Sequence, residues 1–208
     1  MITTTIEDIF SRNVPGIREL LKDKHIGIAG CGGLGSNLAV NLVRMGAENL
    51  TLVDLDKIEA SNLNRQHYFA DQIGMEKTQA LRTNLLRINP EVKLTCHQLR
   101  LDESNIAKIF DDREVVAECF DGAENKALLT GMLAASAKLV VAVSGLAGTA
   151  SAEKLKIKRP IRNLVVIGDG DSPDCREGLL SPRVSVAAAH QAWAILDHFL
   201  KEGRSCNL

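Results

Sequence analysis

The sequence predicts an α/β fold: a Rossmann-like, doubly wound, mainly parallel sheet with helices on both faces. Three observations carry this reading. An apolar run, a glycine-rich turn, a helix-spaced segment and a second apolar run follow one another within residues 25–54, which is the pattern of a βαβ unit. Apolar runs and helix-spaced segments then keep alternating as far as residue 168, as they do where helical crossovers join parallel strands. A long amphipathic segment, 182–203, closes the chain.

Each element has a local reason. Residues 6–23 mix apolar and charged positions at helical spacing around the break Asn-Val-Pro-Gly, so residues 1–24 read as an N-terminal arm with short helical pieces. His-Ile-Gly-Ile-Ala-Gly (25–30) is a buried-strand signal ending in glycine. Residues 33–46 place Leu34, Leu38, Leu42 and Met45 on one helical face, with Ser36 or Asn37 as a cap and Gly46 as a stop. Leu-Thr-Leu-Val-Asp (50–54) is the second strand, 76–89 an amphipathic helix stopped by Pro90, and 92–97 a strand. A short helix at 104–110 has Ser104 as its cap, followed by a strand at 115–120 and a helix at 123–137. Strands at 138–145 and 164–168 precede the last helix, which has proline in its first turn and glycine at its end. Residues 25–208 therefore form one domain, and ligands are expected at the carboxyl ends of its strands.

Composition narrows the function. The chain has 208 residues, 45% hydrophobic and 25% charged, with only 3% aromatic residues. A net charge of −1 without a basic tail offers nucleic acid no electrostatic footprint. No apolar run reaches membrane-spanning length and the N-terminus lacks a signal pattern, so no membrane and a cytoplasmic setting are expected. Five cysteines form no C-x-x-C pair, against a zinc knuckle or a disulfide scaffold. The run Asp-Gly-Asp-Ser-Pro-Asp (169–174) lacks the remainder of a calcium loop and reads as a turn.

The glycine loop Ile-Ala-Gly-Cys-Gly-Gly-Leu-Gly-Ser (28–36) puts Gly30, Gly32 and Gly35 at the fingerprint positions between a strand and a helix. There they permit a tight turn, approach of a phosphate and close helix packing, and the helix N-terminus adds partial positive charge. Cys31 fits as a small side chain, not as a nucleophile. Asp54 ends the second strand nineteen residues after Gly35, where a carboxylate accepts from ribose hydroxyls. Thus far ATP and NAD fit equally. The stretch Ser-Asn-Leu-Asn-Arg-Gln (61–66) and Lys77 in Gly-Met-Glu-Lys then add polar and cationic groups that a dinucleotide leaves without a task and a triphosphate uses. Each of these cations is otherwise an ordinary solvated surface charge.

With these residues in place, the chain resembles the ubiquitin-activating-type (E1-like) adenylyltransferases, the ThiF/MoeB/HesA group. The resemblance rests on residues 30–66, on Gly-Met-Glu-Lys (74–77), on Glu-Cys-Phe-Asp-Gly-Ala-Glu-Asn-Lys (118–126) and on the block from Cys175 through the last helix, and runs from about residue 10 to 203. The wording around 118–126 and the short length are most similar to a compact ThiF-like subgroup assigned to thiamine biosynthesis. The resemblance implies adenylation of the C-terminal glycine of a small ubiquitin-like sulfur carrier, of the ThiS type, with release of pyrophosphate. It implies that the loop including Gly30, Gly32, Gly33 and Gly35 holds the α-phosphate region. Asp54 would bind ribose, with Asp56 aiding the ribose or a metal-bound water. Asn62, Arg65 and Lys77 would neutralise the triphosphate, and Asp121 would hold Mg²⁺. Asp121 also reads as a helix N-cap, a role compatible with the metal.

Further expectations come from the same source. Arg12, with Arg18 close by, is the counterpart of an N-terminal arginine that reaches the ATP of a partner subunit, which implies a homodimer. Cys175 aligns with a cysteine that bonds to the carrier during sulfur transfer, and a sulfur donor enzyme becomes a possible partner; a bystander cysteine is the plain alternative. The family's zinc-binding C-x-x-C pairs are absent, since Cys175 and Cys206 cannot form them, so no zinc is expected. Rival readings are a MoaD-type carrier, activation of another carboxylate or a tRNA base, an NAD-dependent oxidoreductase, and a nucleotide-binding scaffold without activity.

Overall fold

The computed structural model describes residues 5–136, 138–170 and 178–205. Seven strands form one sheet: β1 (His25–Ala29), β2 (Asn49–Asp54), β3 (Lys93–Gln98), β4 (Val115–Glu118), β5 (Leu139–Val143), β6 (Lys156–Ile161) and β7 (Leu164–Gly168). Their order is β3-β2-β1-β4-β5-β7-β6. All pairs are parallel except β6 with β7. The chain winds outward from β1 to β3, then returns to start β4 on the other side of β1. The gap between the ends of β1 and β4 is thus the switch point, where open α/β sheets bind ligands.

The helices are α1 (Ile6–Phe10), α2 (Ile17–Leu21), α3 (Gly33–Met45), α4 (Lys77–Leu86), α5 (Ile106–Ile109), α6 (Ala123–Ala134) and α7 (Ser181–Ser205). Alternation along the strands divides the core into two layers. Ile26, Ile28, Val115, Ala117, Leu139 and Val141 face the larger one, with side chains of α2, α3, α4 and α7. Ala29, Val116 and Val140 face the smaller one, filled from α5 and α6 by Ile106, Leu129 and Leu133, with Phe110 after α5. Gly27 sits mid-strand because the Phe110 ring lies over it; a Cβ there would come within 2.6 Å of that ring.

Strand β6 is not anticipated from the sequence. Lys-Ile-Lys-Arg-Pro-Ile is exposed at every position, so it shows no apolar face, and its proline is tolerated because the strand is an edge. Two predicted caps also differ. The N-cap of α3 is Gly32, without a side-chain hydrogen bond. Ser36 Oγ instead donates to Gly32 O at 2.7 Å and Asn37 Nδ2 to Gly33 O at 2.7 Å. Ser104 donates to Asp102 Oδ1 rather than capping α5, whose N-cap is Asn105. Among the described residues no helix is long and apolar enough to cross a membrane.

Candidate active site

A cleft of about 760 Å³ opens along the carboxyl ends of the strands. Its floor is the glycine loop after β1. Gly30 adopts φ +97°, and a Cβ there would lie 2.9 Å from Cys119 O, so only glycine lets the loop touch the end of β4. Gly35 does not line the cleft. It packs α3 onto the loop, where a Cβ would lie 1.8 Å from Gly30 O. Gly30, Gly32 and Gly33 do line it. With no side chain capping α3, its first N–H groups and partial positive charge belong to the cleft.

Asp54 ends β2 at the cleft wall. Its Oδ2 accepts from Cys31 N at 2.6 Å and its Oδ1 from Asp56 N at 2.8 Å. Burial pushes its carboxyl above the ordinary value, and these two N–H donors oppose that shift. The carboxylate therefore anchors the glycine loop as well as facing the cleft. Tyr68 completes the frame: its hydroxyl lies 2.7 Å from Cys31 O and 3.2 Å from Lys77 O, joining the loop to the start of α4.

The cations stand beside this frame. Lys77 Nζ pairs with Asp56 Oδ2 at 2.8 Å, its side chain 8% exposed. Asp56 is thus a partner of Lys77, a role the sequence reading does not foresee. Arg65 lies over Gly33, where a Cβ would come within 3.5 Å of its Cγ, and its Nη1 donates to Ser61 O and Asn64 Oδ1 at 3.2 and 2.8 Å. Asp54, Asp56, Arg65, Lys77 and Asp121 all line the one cleft. Asn62 does not. Its Oδ1 accepts from Glu59 N at 3.2 Å, closing a single 3₁₀ turn over Ala60–Asn62. That contact engages only the amide oxygen of Asn62 and leaves its amide N–H donors without a partner among the described residues.

Asp121 stands on the β4–α6 loop, exposed, and makes no hydrogen bond or ion pair among the described residues. The predicted N-cap role is not realised: Gly122 is the N-cap of α6, without a side-chain bond. Among the described residues no three His, Cys, Asp or Glu side chains gather to hold a metal. A single free carboxylate cannot build a metal cage. It does fit a Mg²⁺ that arrives on phosphate oxygens and keeps most of its waters.

The other expected groups lie elsewhere. Arg12 is exposed just beyond α1 and does not line the cleft. Arg18 is committed to Glu48 at 2.9 Å and stacks on Phe10. Cys175 lies outside the described residues. Cys31 is fully buried, and burial pushes its thiol well up, which suits a packing role. Several cleft residues escaped the sequence reading, Arg100 and Lys126 among them. Leu99 and Leu101, beyond β3, add an apolar wall; Gln66 is buried there with no partner for its Oε1 among the described residues.

The comparisons with known proteins agree with this geometry. The ThiF family model matches residues 8–205. The chain is similar to the molybdopterin-synthase adenylyltransferase of Escherichia coli K12, 37% identical over 125 residues, 59% of this chain and 50% of that protein. It is also similar to adenylyltransferase and sulfurtransferase MOCS3 of Drosophila virilis, 38% identical over 128 residues, 61% of this chain and 28% of that protein. The chain thus matches half or less of the length of these curated relatives. In fold it is similar to the E. coli tRNA N6-threonylcarbamoyladenosine dehydratase in complex with AMP, with a TM-score of 0.85, 19% identity and 94% of both chains covered. With the family model spanning nearly its whole length, the chain belongs to the ThiF family.

Proposed function

We propose that the protein adenylates the C-terminal carboxylate of a ubiquitin-like sulfur carrier ending in Gly-Gly, of the ThiS type, in thiamine biosynthesis in the cytoplasm. One observation supports this most: an uncapped helix N-terminus, cations that include Arg65 and Lys77, and an unpaired carboxylate converge on one cleft at the switch point. The names of the two curated relatives point to the same chemistry in those proteins.

In this reading the adenosine lies against Val53, Leu99 and Leu101, with its ribose hydroxyls donating to Asp54. The α-phosphate meets the glycine loop and the N-terminus of α3. Arg65 and Lys77 neutralise the outer phosphates, and Asp56 keeps Lys77 in place. Mg²⁺ held by Asp121 would supply charge neutralisation between the phosphates. The carrier carboxylate is already ionised, so the step needs no base. A carboxylate oxygen forms the new bond to the α-phosphorus, the bond from that phosphorus to the bridging oxygen breaks, and its electron pair leaves with pyrophosphate. The protein contributes position and charge. In the same reading the protein is a homodimer, Arg12 of one subunit reaches the ATP of the other, and Cys175 serves sulfur delivery rather than adenylation.

The test is ATP–pyrophosphate exchange. It is expected only with Mg²⁺ and a carrier whose Gly-Gly carboxylate is free. No exchange with any such carrier, alongside tight binding of NADH, contradicts the reading. Exchange with tRNA instead would redirect it to a nucleic-acid substrate. Arg65→Ala and Asp121→Ala should each lower the rate about 100-fold or more, the scale of one lost transition-state contact. Unchanged rates would remove either residue from the mechanism.

A further inference from the structure

The cleft wall between β4 and β5 holds an ion pair that the proposed chemistry does not use. Glu118 ends β4 with its side chain 1% exposed. Lys126, in the first turn of α6, places Nζ 3.0 Å from both carboxylate oxygens and 3.1 Å from Val143 O at the end of β5. Glu118 Oε1 also accepts from Phe120 N at 2.7 Å. Burial pushes the Glu118 carboxyl up, and the Lys126 ammonium opposes that.

Lys126 lines the cleft, yet it is not a spare cation for phosphate. An ammonium has three donors, and three acceptors already surround it. Its geometry ties structure to structure. Glu118 holds the start of the β4–α6 loop through Phe120 N, and Lys126 holds the helix after the loop to β5. Asp121 stands between the two ties. From the other side, Gly30 abuts Cys119 O, so the loop is bounded by the glycine floor as well. With Glu118 buried and Lys126 half-buried, desolvation of the carboxylate offsets much of the attraction, so the pair is a weak source of stability. What it specifies is where the loop sits.

We propose that the Glu118–Lys126 pair is a positioning element that sets Asp121 at the height where it meets a metal-bound triphosphate. The proposal rests on the role given to Asp121 above. Neither Glu118 nor Lys126 touches the nucleotide in this account; both act through Asp121.

The experiment compares wild type with Glu118→Gln, with the charge-retaining double variant Glu118→Asp/Lys126→Arg, and with the apolar double variant Glu118→Leu/Lys126→Met. The charge-retaining variant shortens one partner and lengthens the other. The apolar variant is expected to fold, since apolar replacement of a buried pair is often neutral in stability. The readouts are thermal unfolding, ATP affinity with and without Mg²⁺, and the Mg²⁺ concentration for half-maximal pyrophosphate exchange. Glu118→Gln and the apolar variant should keep metal-free ATP affinity within about 2-fold. They should lose most of the gain that Mg²⁺ gives to ATP binding, and kcat should fall about 100-fold with KM for the carrier unchanged, the scale of a reacting group misplaced by an ångström. The charge-retaining variant should recover most of the loss.

Folded variants with a wild-type Mg²⁺ response overturn the proposal. If Glu118→Gln fails to fold, the apolar variant decides in the same two directions. Asp121→Ala separates this proposal from the reading it rests on. If that variant keeps the full Mg²⁺ gain in ATP binding, the role of Asp121 is wrong and the positioning claim falls with it. If Asp121→Ala loses the gain while the Glu118 and Lys126 variants keep it, only the positioning claim is wrong.

Discussion

The two sides of the cleft are built by different means. On the β1–α3–β2 side the backbone does most of the shaping. Gly30 and Gly35 occupy space where no Cβ fits, and Asp54 holds the loop through Cys31 N. On the β4–α6–β7–α7 side, ion pairs with at least one buried partner join in that part. Besides Glu118–Lys126, Arg183 pairs with Asp169 Oδ2 at 2.7 Å with 4% and 5% of the side chains exposed, and also donates to the carbonyls of Leu146, Ala150 and Ser151. This fastens the start of α7 to the segment after β5, including Leu146 on the cleft wall. The second side adds charge to steric exclusion, since a Cβ at Gly168 would lie 1.6 Å from Ser144 O; the first side rests on exclusion, with Lys77–Asp56 as its ion pair at the rim. Substitutions should therefore fail differently on each.

Of the substitutions considered, the largest effect is expected from Gly35→Ala on the first side. Its Cβ would meet Gly30 O at 1.8 Å, backbone against backbone. Destabilisation beyond about 4 kcal/mol is expected, shown as loss of folded protein. Gly131→Ala supplies the contrast on the other side. It lies within α6 with nothing near its Cβ position, and should gain about 0.5–1 kcal/mol, seen as a raised Tm. A folded Gly35→Ala with a normal Tm would undo the steric half of the comparison.

Next comes Arg183→Met, which removes the ion pair to Asp169 and the hydrogen bonds to the carbonyls of Leu146, Ala150 and Ser151 together. A loss of about 3–5 kcal/mol in urea unfolding is expected. A loss below about 1 kcal/mol would mean that charge does not organise this side.

The smallest effect on stability is expected from Asp54→Asn. One N–H donor loses its acceptor, yet a desolvated charge is removed, so the two changes oppose each other and the net at neutral pH should stay within about 1 kcal/mol. The sign with pH is definite. Burial holds the folded carboxyl above its ordinary value of 3.8, so the folded state binds the proton more tightly than the unfolded chain. That contribution is fully present below 3.8 and is lost as pH rises through the raised folded value. Wild type should therefore gain on the variant as pH falls from about 7 toward about 4. Urea midpoints across that range check it, and a gap moving the other way would contradict the burial of Asp54.

The same contrast explains what was legible in the sequence. Glycine spacing, the strand end at Asp54 and the cations Arg65 and Lys77 are local patterns, and the structure brings all of them except Asn62 and Gly35 to the cleft lining. Asn62 and Gly35 carry the same residue types as groups that do face it, but Asn62 turns its amide oxygen to a capping bond and Gly35 serves a packing contact. The ion pairs join residues 8 and 14 positions apart through the end of a strand and the start of a helix, where spacing says nothing until the elements are packed. Asp169 illustrates this: in sequence it opens a turn rich in acids, and in the fold it meets Arg183. Strand β6 escaped because an edge with both faces exposed has no apolar period.

Both sides matter only if they meet on one reaction. The most direct measurement is the mass of a Gly-Gly-ended carrier incubated with the protein, ATP and Mg²⁺, set beside the same carrier with its C-terminus amidated. The account predicts an added AMP on the free carboxylate and none on the amide. A free carrier that gains nothing, or an amidated one that gains AMP as readily, would contradict it.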